Sequence, residues 1–91
     1  MEFEWDEAKR QQIISSRGVD ILKAARIFEG YVLTSVDARQ DYGELRYRAI
    51  GMVGEDCFIL IYTRRDEGIR LITAWKGGRH ERQRYQASIA R

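Results

Sequence analysis

Proline is absent from this 91-residue chain, cysteine and histidine occur once each, and the longest unbroken apolar run is six residues, Cys57-Phe58-Ile59-Leu60-Ile61-Tyr62. Without proline no stiff linker marks a boundary, and the length is near the size at which one core suffices, so a single domain over residues 1–91 is expected. One cysteine excludes an internal disulfide framework, and Cys57 inside an apolar run reads as a small hydrophobe. A single Cys57 and a single His80 do not make a tetrahedral zinc site, so neither a metal nor another cofactor is expected. Six apolar residues fall well short of the roughly 18 needed to span a bilayer. The start Met1-Glu2-Phe3-Glu4-Trp5 is acidic and aromatic, unlike a signal peptide, so a cytoplasmic location is expected.

What is present is charge, and it is unevenly placed. The net charge is only +2, but residues 1–43 carry six Lys/Arg against eight Asp/Glu, whereas residues 44–91 carry ten against six. Nine of those ten basic residues are arginine, whose planar fork suits phosphate. A polyanion would meet the second half; a merely solvated face is the alternative reading.

The hydrophobic pattern gives the elements. Phe3 and Trp5 alternate with Glu4 as a short strand, and Asp6 can cap a helix over about Glu7 to Ser16, with Ala8, Ile13 and Ile14 inward and Gly18 ending it. Asp20 starts a second helix through Phe28, closed by Gly30. Strands follow at Tyr31 to Val36, Glu44 to Met52, Cys57 to Thr63 and Ile69 to Trp75. The third of these is apolar throughout and reads as the sheet's centre, covered on both faces. Arg64 to Gly68 is a hairpin turn with Gly68 available for positive φ, and Arg79 to about Ala90 forms a last helix anchored by Tyr85 and Ile89. The expected class is α+β: an antiparallel sheet of four main strands plus a short N-terminal one, with two N-terminal helices and one C-terminal helix.

Alternation along Glu44 to Ile50 sets Glu44, Arg46 and Arg48 on one side of a strand. A carboxylate beside two guanidiniums can take a proton and hold a phosphate, or it can be a row of weak cross-strand ion pairs. In the last strand Arg70, Ile72 and Ala74 alternate with Ile69, Leu71, Thr73 and Trp75; Arg70 either enters a groove shared with Arg46 or is a solvated edge charge. Trp75 is either core or a plate for stacking a base. Gly77-Gly78 before a helix leaves amides that attract anions, and His80 in its first turn reads as a surface residue. No serine-histidine-acid set and no phosphate-loop glycine pattern is present.

The segments Phe3-Glu4-Trp5-Asp6-Glu7-Ala8-Lys9, Arg17-Gly18-Val19-Asp20, Asp37-x-Arg39-x-Asp41-Tyr42-Gly43-Glu44-x-Arg46, Ile50-Gly51, Tyr62-Thr63 and Arg70-Leu71-Ile72-Thr73-Ala74-Trp75-Lys76, with Glu81-Arg82 and Tyr85, resemble the BrnT family. That family comprises ribonuclease toxins of type II toxin-antitoxin modules. The resemblance covers almost the whole chain in order and spacing. It implies a RelE-like fold, an RNA substrate, and a BrnA-like ribbon-helix-helix antitoxin through which the pair would act on operator DNA. Where the family usually reads Lys-His-Gly, this chain reads Ser16-Arg17-Gly18, and Ile13 stands where an Asn is usual.

Together these imply a metal-independent endoribonuclease in which the RNA's own 2′-hydroxyl attacks the phosphorus. Glu44 would be the base, Arg46 and Arg70 phosphate clamps, and Arg39, Arg48, Trp75, Lys76 and Arg79 substrate-binding residues. The alternative is a binding module that keeps the antitoxin partnership and has lost the chemistry. The nuclease reading requires Arg46 and Arg70 on the same side of the molecule.

Overall fold

A computed structural model describes residues 2–90; Met1, counted in the acidic start, and Arg91, counted in the basic half, lie outside them. The chain opens with strand β1 (Glu2–Glu4) and enters helix α1 (Glu7–Arg17) through Asp6, whose carboxylate accepts from the Lys9 amide at 3.1 Å. Gly18, at φ +66°, ends the helix in the left-handed conformation that costs glycine nothing, and its N–H donates to Ile14 O. Asp20 caps the next helix and also takes the Arg10 guanidinium in a two-point pair at 2.8 and 2.7 Å, which ties the first two helices together.

That second helix is shorter than its apolar stripe suggests. Helix α2 covers only Ile21–Ala24, and Ala25–Glu29 continues as a 3-10 helix. This segment lays Ile27 directly on Gly51, where an added Cβ would come within 2.6 Å of the Ile27 Cβ. Strands β2 (Leu33–Val36), β3 (Arg46–Val53), β4 (Asp56–Arg65) and β5 (Gly68–Lys76) follow, and helix α3 (Arg79–Ile89) closes the chain. Residue Glu44 therefore precedes its strand rather than belonging to it.

The sheet order is β1-β5-β4-β3-β2, with the all-apolar β4 in the centre. The expected antiparallel sheet is in fact mixed, since β1 runs parallel to β5, with Glu4 opposite Arg70. Hairpins force antiparallel neighbours only where a short turn joins them, and β1 reaches β5 through the whole chain. Gly68 serves that pairing rather than the turn. Its Cβ would lie 2.7 Å from the Glu2 carbonyl oxygen, while the positive φ of the β4–β5 turn, 41°, falls on Asp66.

Two cores flank the sheet. Phe58, Leu60 and Tyr62 point into the larger one beneath α1, α2 and the 3-10 helix, with Ile13, Ile21 and Ile27. Cys57 and Ile59 point the other way, with Ile50 and Tyr85 of α3. Both faces of β4 are thus removed from water, which is why its sequence does not alternate. The second core is small. Tyr85 anchors α3 and donates its hydroxyl to Tyr31 O at 2.9 Å, but Ile89 lies beyond the patch, 48% exposed. Helix α3 therefore leaves the other end of this sheet face to polar side chains.

Candidate active site

The register of three strands assembles the site. Arg46 of β3 lies opposite Thr63 of β4, and Thr63 lies opposite Arg70 of β5, so both arginines flank one central residue on one face. Two strand spacings separate them, about 10 Å between Cβ atoms, which long side chains can close around a single phosphate. This sharing of a face depends on an irregularity. Between Ile61 and Tyr62 the register shifts, so that Ile61 faces Thr73 but Tyr62 faces Leu71, and Ile72 is the extra residue. Simple alternation sets Arg70 on the face opposite Thr73 and Trp75; the bulge turns it back onto theirs.

Carboxylates interleave with the guanidiniums. Glu44 Oε2 accepts from Arg46 Nε at 3.1 Å, and its other oxygen is 4.0 Å from Arg65 NH2. Glu4 Oε1 lies 3.6 Å from both Arg65 NH1 and Arg70 NH1. Glu44, Arg46, Arg65 and Arg70 line one shallow cavity with Asp6 and Lys9 at its rim. Thr63, between the two arginines in the sheet, is buried although polar, and its hydroxyl donates to Leu45 O at 2.7 Å. Arg46 is not freely swinging: its guanidinium lies 4.0 Å from the centre of the Tyr42 ring.

Further along the same face, Arg48 follows Arg46 opposite Ile61, half-buried. Trp75 is neither core nor free plate. It packs at the edge of the smaller core, with Arg17 at 5.7 Å and Arg39 at 5.6 Å from its ring centre. Arg17 reaches this face from the end of α1 by donating to Thr73 Oγ1 at 2.7 Å and Ala74 O at 3.0 Å. Arg39 is held by Asp37, whose side chain is 1% exposed. The paired Arg39 guanidinium holds the Asp37 carboxyl below its usual range, outweighing the burial that would raise it.

Two expected residues do not join the cluster. Lys76 lies opposite Phe58, hence toward the larger core, and it pairs with Asp56, as does Lys23. Arg70 and Lys76 stand six positions apart, which in a regular strand would put them on one face, but the intervening bulge sends the two to opposite faces. Arg79 lies with Arg82, Gln83 and Gln86 along one flank of α3. The two glycine amides ahead of the helix are already taken: Gly78 N–H donates to Glu81 Oε1 at 2.8 Å, and Gly77 N–H to Cys57 O. That internal hydrogen bond lowers the Glu81 carboxyl, with smaller help from His80 and Arg48. Cys57 is buried against Gly77, its thiol pushed up by burial.

Among the described residues no group of three or more His, Cys, Asp or Glu side chains could hold a metal ion, and no helix is long and apolar enough to cross a membrane. What the face can do is hold phosphate between guanidiniums set beside carboxylates. A family model described as the ribonuclease toxin BrnT of type II toxin-antitoxin systems matches residues 5–81. The chain belongs to the BrnT family. No curated protein matches it. BrnT membership implies an RNA target and an antitoxin partner. Within that family's matched span lie every strand of the sheet but β1 and all of the basic face.

Sequence reasoning missed Glu4, Arg17, Arg65, Asp37 and Tyr42 as neighbours of the cluster. For Glu4 and Arg65 the missing signal was the parallel β1–β5 pairing, which no local pattern encodes. For Arg17 the missing signal was that its side chain rounds the sheet edge from the end of α1 to Thr73 and Ala74.

Proposed function

We propose that this chain is a metal-independent endoribonuclease toxin of RelE-like architecture, cleaving RNA by attack of the 2′-hydroxyl. The observation that supports it is the placement of Arg46 and Arg70 on either side of Thr63, with Glu44 in contact with one of them. RNA supplies the nucleophile, so the protein has three tasks: to align O2′ with phosphorus, to accept its proton, and to stabilise the crowded dianionic phosphorane. Glu44 accepts the proton as the O2′–P bond forms. Arg46 and Arg70 hold the non-bridging oxygens, and the P–O5′ bond breaks, leaving a 2′,3′-cyclic phosphate and a 5′-hydroxyl after protonation. Arg39, Arg48 and Trp75 flank the path of the neighbouring nucleotides. A ribbon-helix-helix antitoxin would neutralise the toxin in the cytoplasm and carry the pair to operator DNA.

The test uses an RNA oligonucleotide and the same oligonucleotide with 2′-deoxyribose at the cleaved position, each with chelator. Cleavage of the first to a cyclic phosphate, and none of the second, is expected. Cleavage of both, or loss of activity with chelator, contradicts the mechanism.

One observation favours a second reading, a binding module that partners an antitoxin without turnover: Glu4 and Glu44 are each already held between two guanidiniums. Under that reading purified protein leaves RNA intact, and expression without antitoxin does not arrest growth.

A further inference from the structure

Asp37 is a buried carboxylate to which the proposed chemistry gives no task. Its side chain is 1% exposed, and it accepts from Arg39 Nε and NH2 at 2.8 and 2.9 Å and from the Tyr42 hydroxyl at 3.2 Å. Its own N–H donates to Arg46 O at 2.8 Å, which closes the loop between β2 and β3 at the foot of β3. The Tyr42 ring fixed by this arrangement is the one against which the Arg46 guanidinium lies, 4.0 Å from the ring centre. Arg46 therefore has Tyr42 along its flat face and Glu44 on Nε, and its two terminal nitrogens have no hydrogen bond among the described residues.

We propose that Tyr42, held by Asp37, is a positioning residue that sets the direction of the Arg46 guanidinium toward the scissile phosphate. This rests on the nuclease reading and adds to it a chain of control that starts away from the reacting atoms. A guanidinium on a long stem has many rotamers, and a ring that fixes its plane removes most of them before substrate arrives. The aromatic face, not the hydroxyl alone, carries the effect, and Asp37 keeps that face in place.

The experiment compares Tyr42→Phe, Tyr42→Trp, Tyr42→Leu and Asp37→Asn in single-turnover and steady-state RNA cleavage, with the Arg46 Nε–H NMR resonance recorded for each. Tyr42→Phe keeps the ring under Arg46 but loses the hydroxyl that Asp37 holds, so it and Asp37→Asn should show the same small loss, about threefold, whereas Tyr42→Leu should lose about tenfold or more in kcat with KM little changed. Tyr42→Trp also keeps a ring and should fall no lower than Tyr42→Phe. The resonance should shift slightly for Tyr42→Phe and Asp37→Asn and move or broaden most for Tyr42→Leu. A loss that follows lowered Tm equally in Phe and Leu variants indicates a merely structural role and overturns the inference. A Tyr42→Leu protein with parental kcat or an unmoved Arg46 resonance overturns it too. Parental protein that leaves RNA intact overturns the nuclease reading itself, a result distinguishable from the other two.

Discussion

Glu4 sits between Arg65 and Arg70 at 3.6 Å from each, so a carboxylate already occupies the side of Arg70 that a phosphate would use. Half-exposed pairs of this kind are worth well under about 1 kcal/mol, too little to block a polyanion but enough to tax it. Glu4→Gln should tighten binding of uncleavable RNA by about threefold, read by fluorescence titration, and unchanged or weaker binding would show that Glu4 does not compete. Asp37 makes a pH prediction. Its folded-state pKa is lowered, first by the Arg39 hydrogen bonds, so its stabilisation is fully present above the unfolded value near 4 and is lost as pH falls through the lower folded value. The gap in unfolding free energy between parent and Asp37→Asn, on the order of 1–2 kcal/mol from urea titrations, should hold from about pH 5 to 8, begin to shrink near pH 4 and close only below the lowered folded value. Arg46 and Arg48 were legible from alternation alone because β3 is regular where they stand. The meeting of Glu4 with Arg65 and Arg70 was not, because it requires a parallel pairing between the start of the chain and β5.

At the scale of the elements, the apolar run of β4, the caps at Asp6 and Asp20, and the end of α1 at Gly18 followed from local chemistry. The direction of β1 and the bulge at Ile72 did not, since both are settled by tertiary pairing. Under the proposed nuclease reading the bulge matters most: it reverses the alternation of β5, bringing Arg70 onto the face of Trp75 and sending Lys76 away from it. Glu44 was read as a strand residue, yet β3 begins at Arg46, and the carboxylate reaches its neighbour from the loop. One tight joint between elements is Gly51 under Ile27. Gly51→Ala would push a methyl to within 2.6 Å of the Ile27 Cβ, an overlap that needs the 3-10 helix to shift. A loss of about 1–3 kcal/mol is expected in chemical denaturation, and a neutral result would show that this helix is loosely seated.

Over the whole molecule, the modest net charge conceals an asymmetry that the fold sharpens. Arg17, Arg39, Arg46, Arg48, Arg65 and Arg70 reach one sheet face left open beyond α3, although they come from α1, a loop and three strands. Binding of single-stranded RNA through three or four of them should give a slope of log K on log salt of about −2 to −3. A slope near zero would mean that the face does not grip phosphate. The central claim is that Arg46 and Arg70 close on one scissile linkage, and the rate of RNA cleavage by Arg70→Ala, measured beside Arg46→Ala under single-turnover conditions, tests it most directly. Each substitution is expected to raise the barrier by about 2.7–4 kcal/mol, a hundredfold or more in rate, with the fold retained. An Arg70→Ala protein that cleaves RNA as fast as the parent would contradict it.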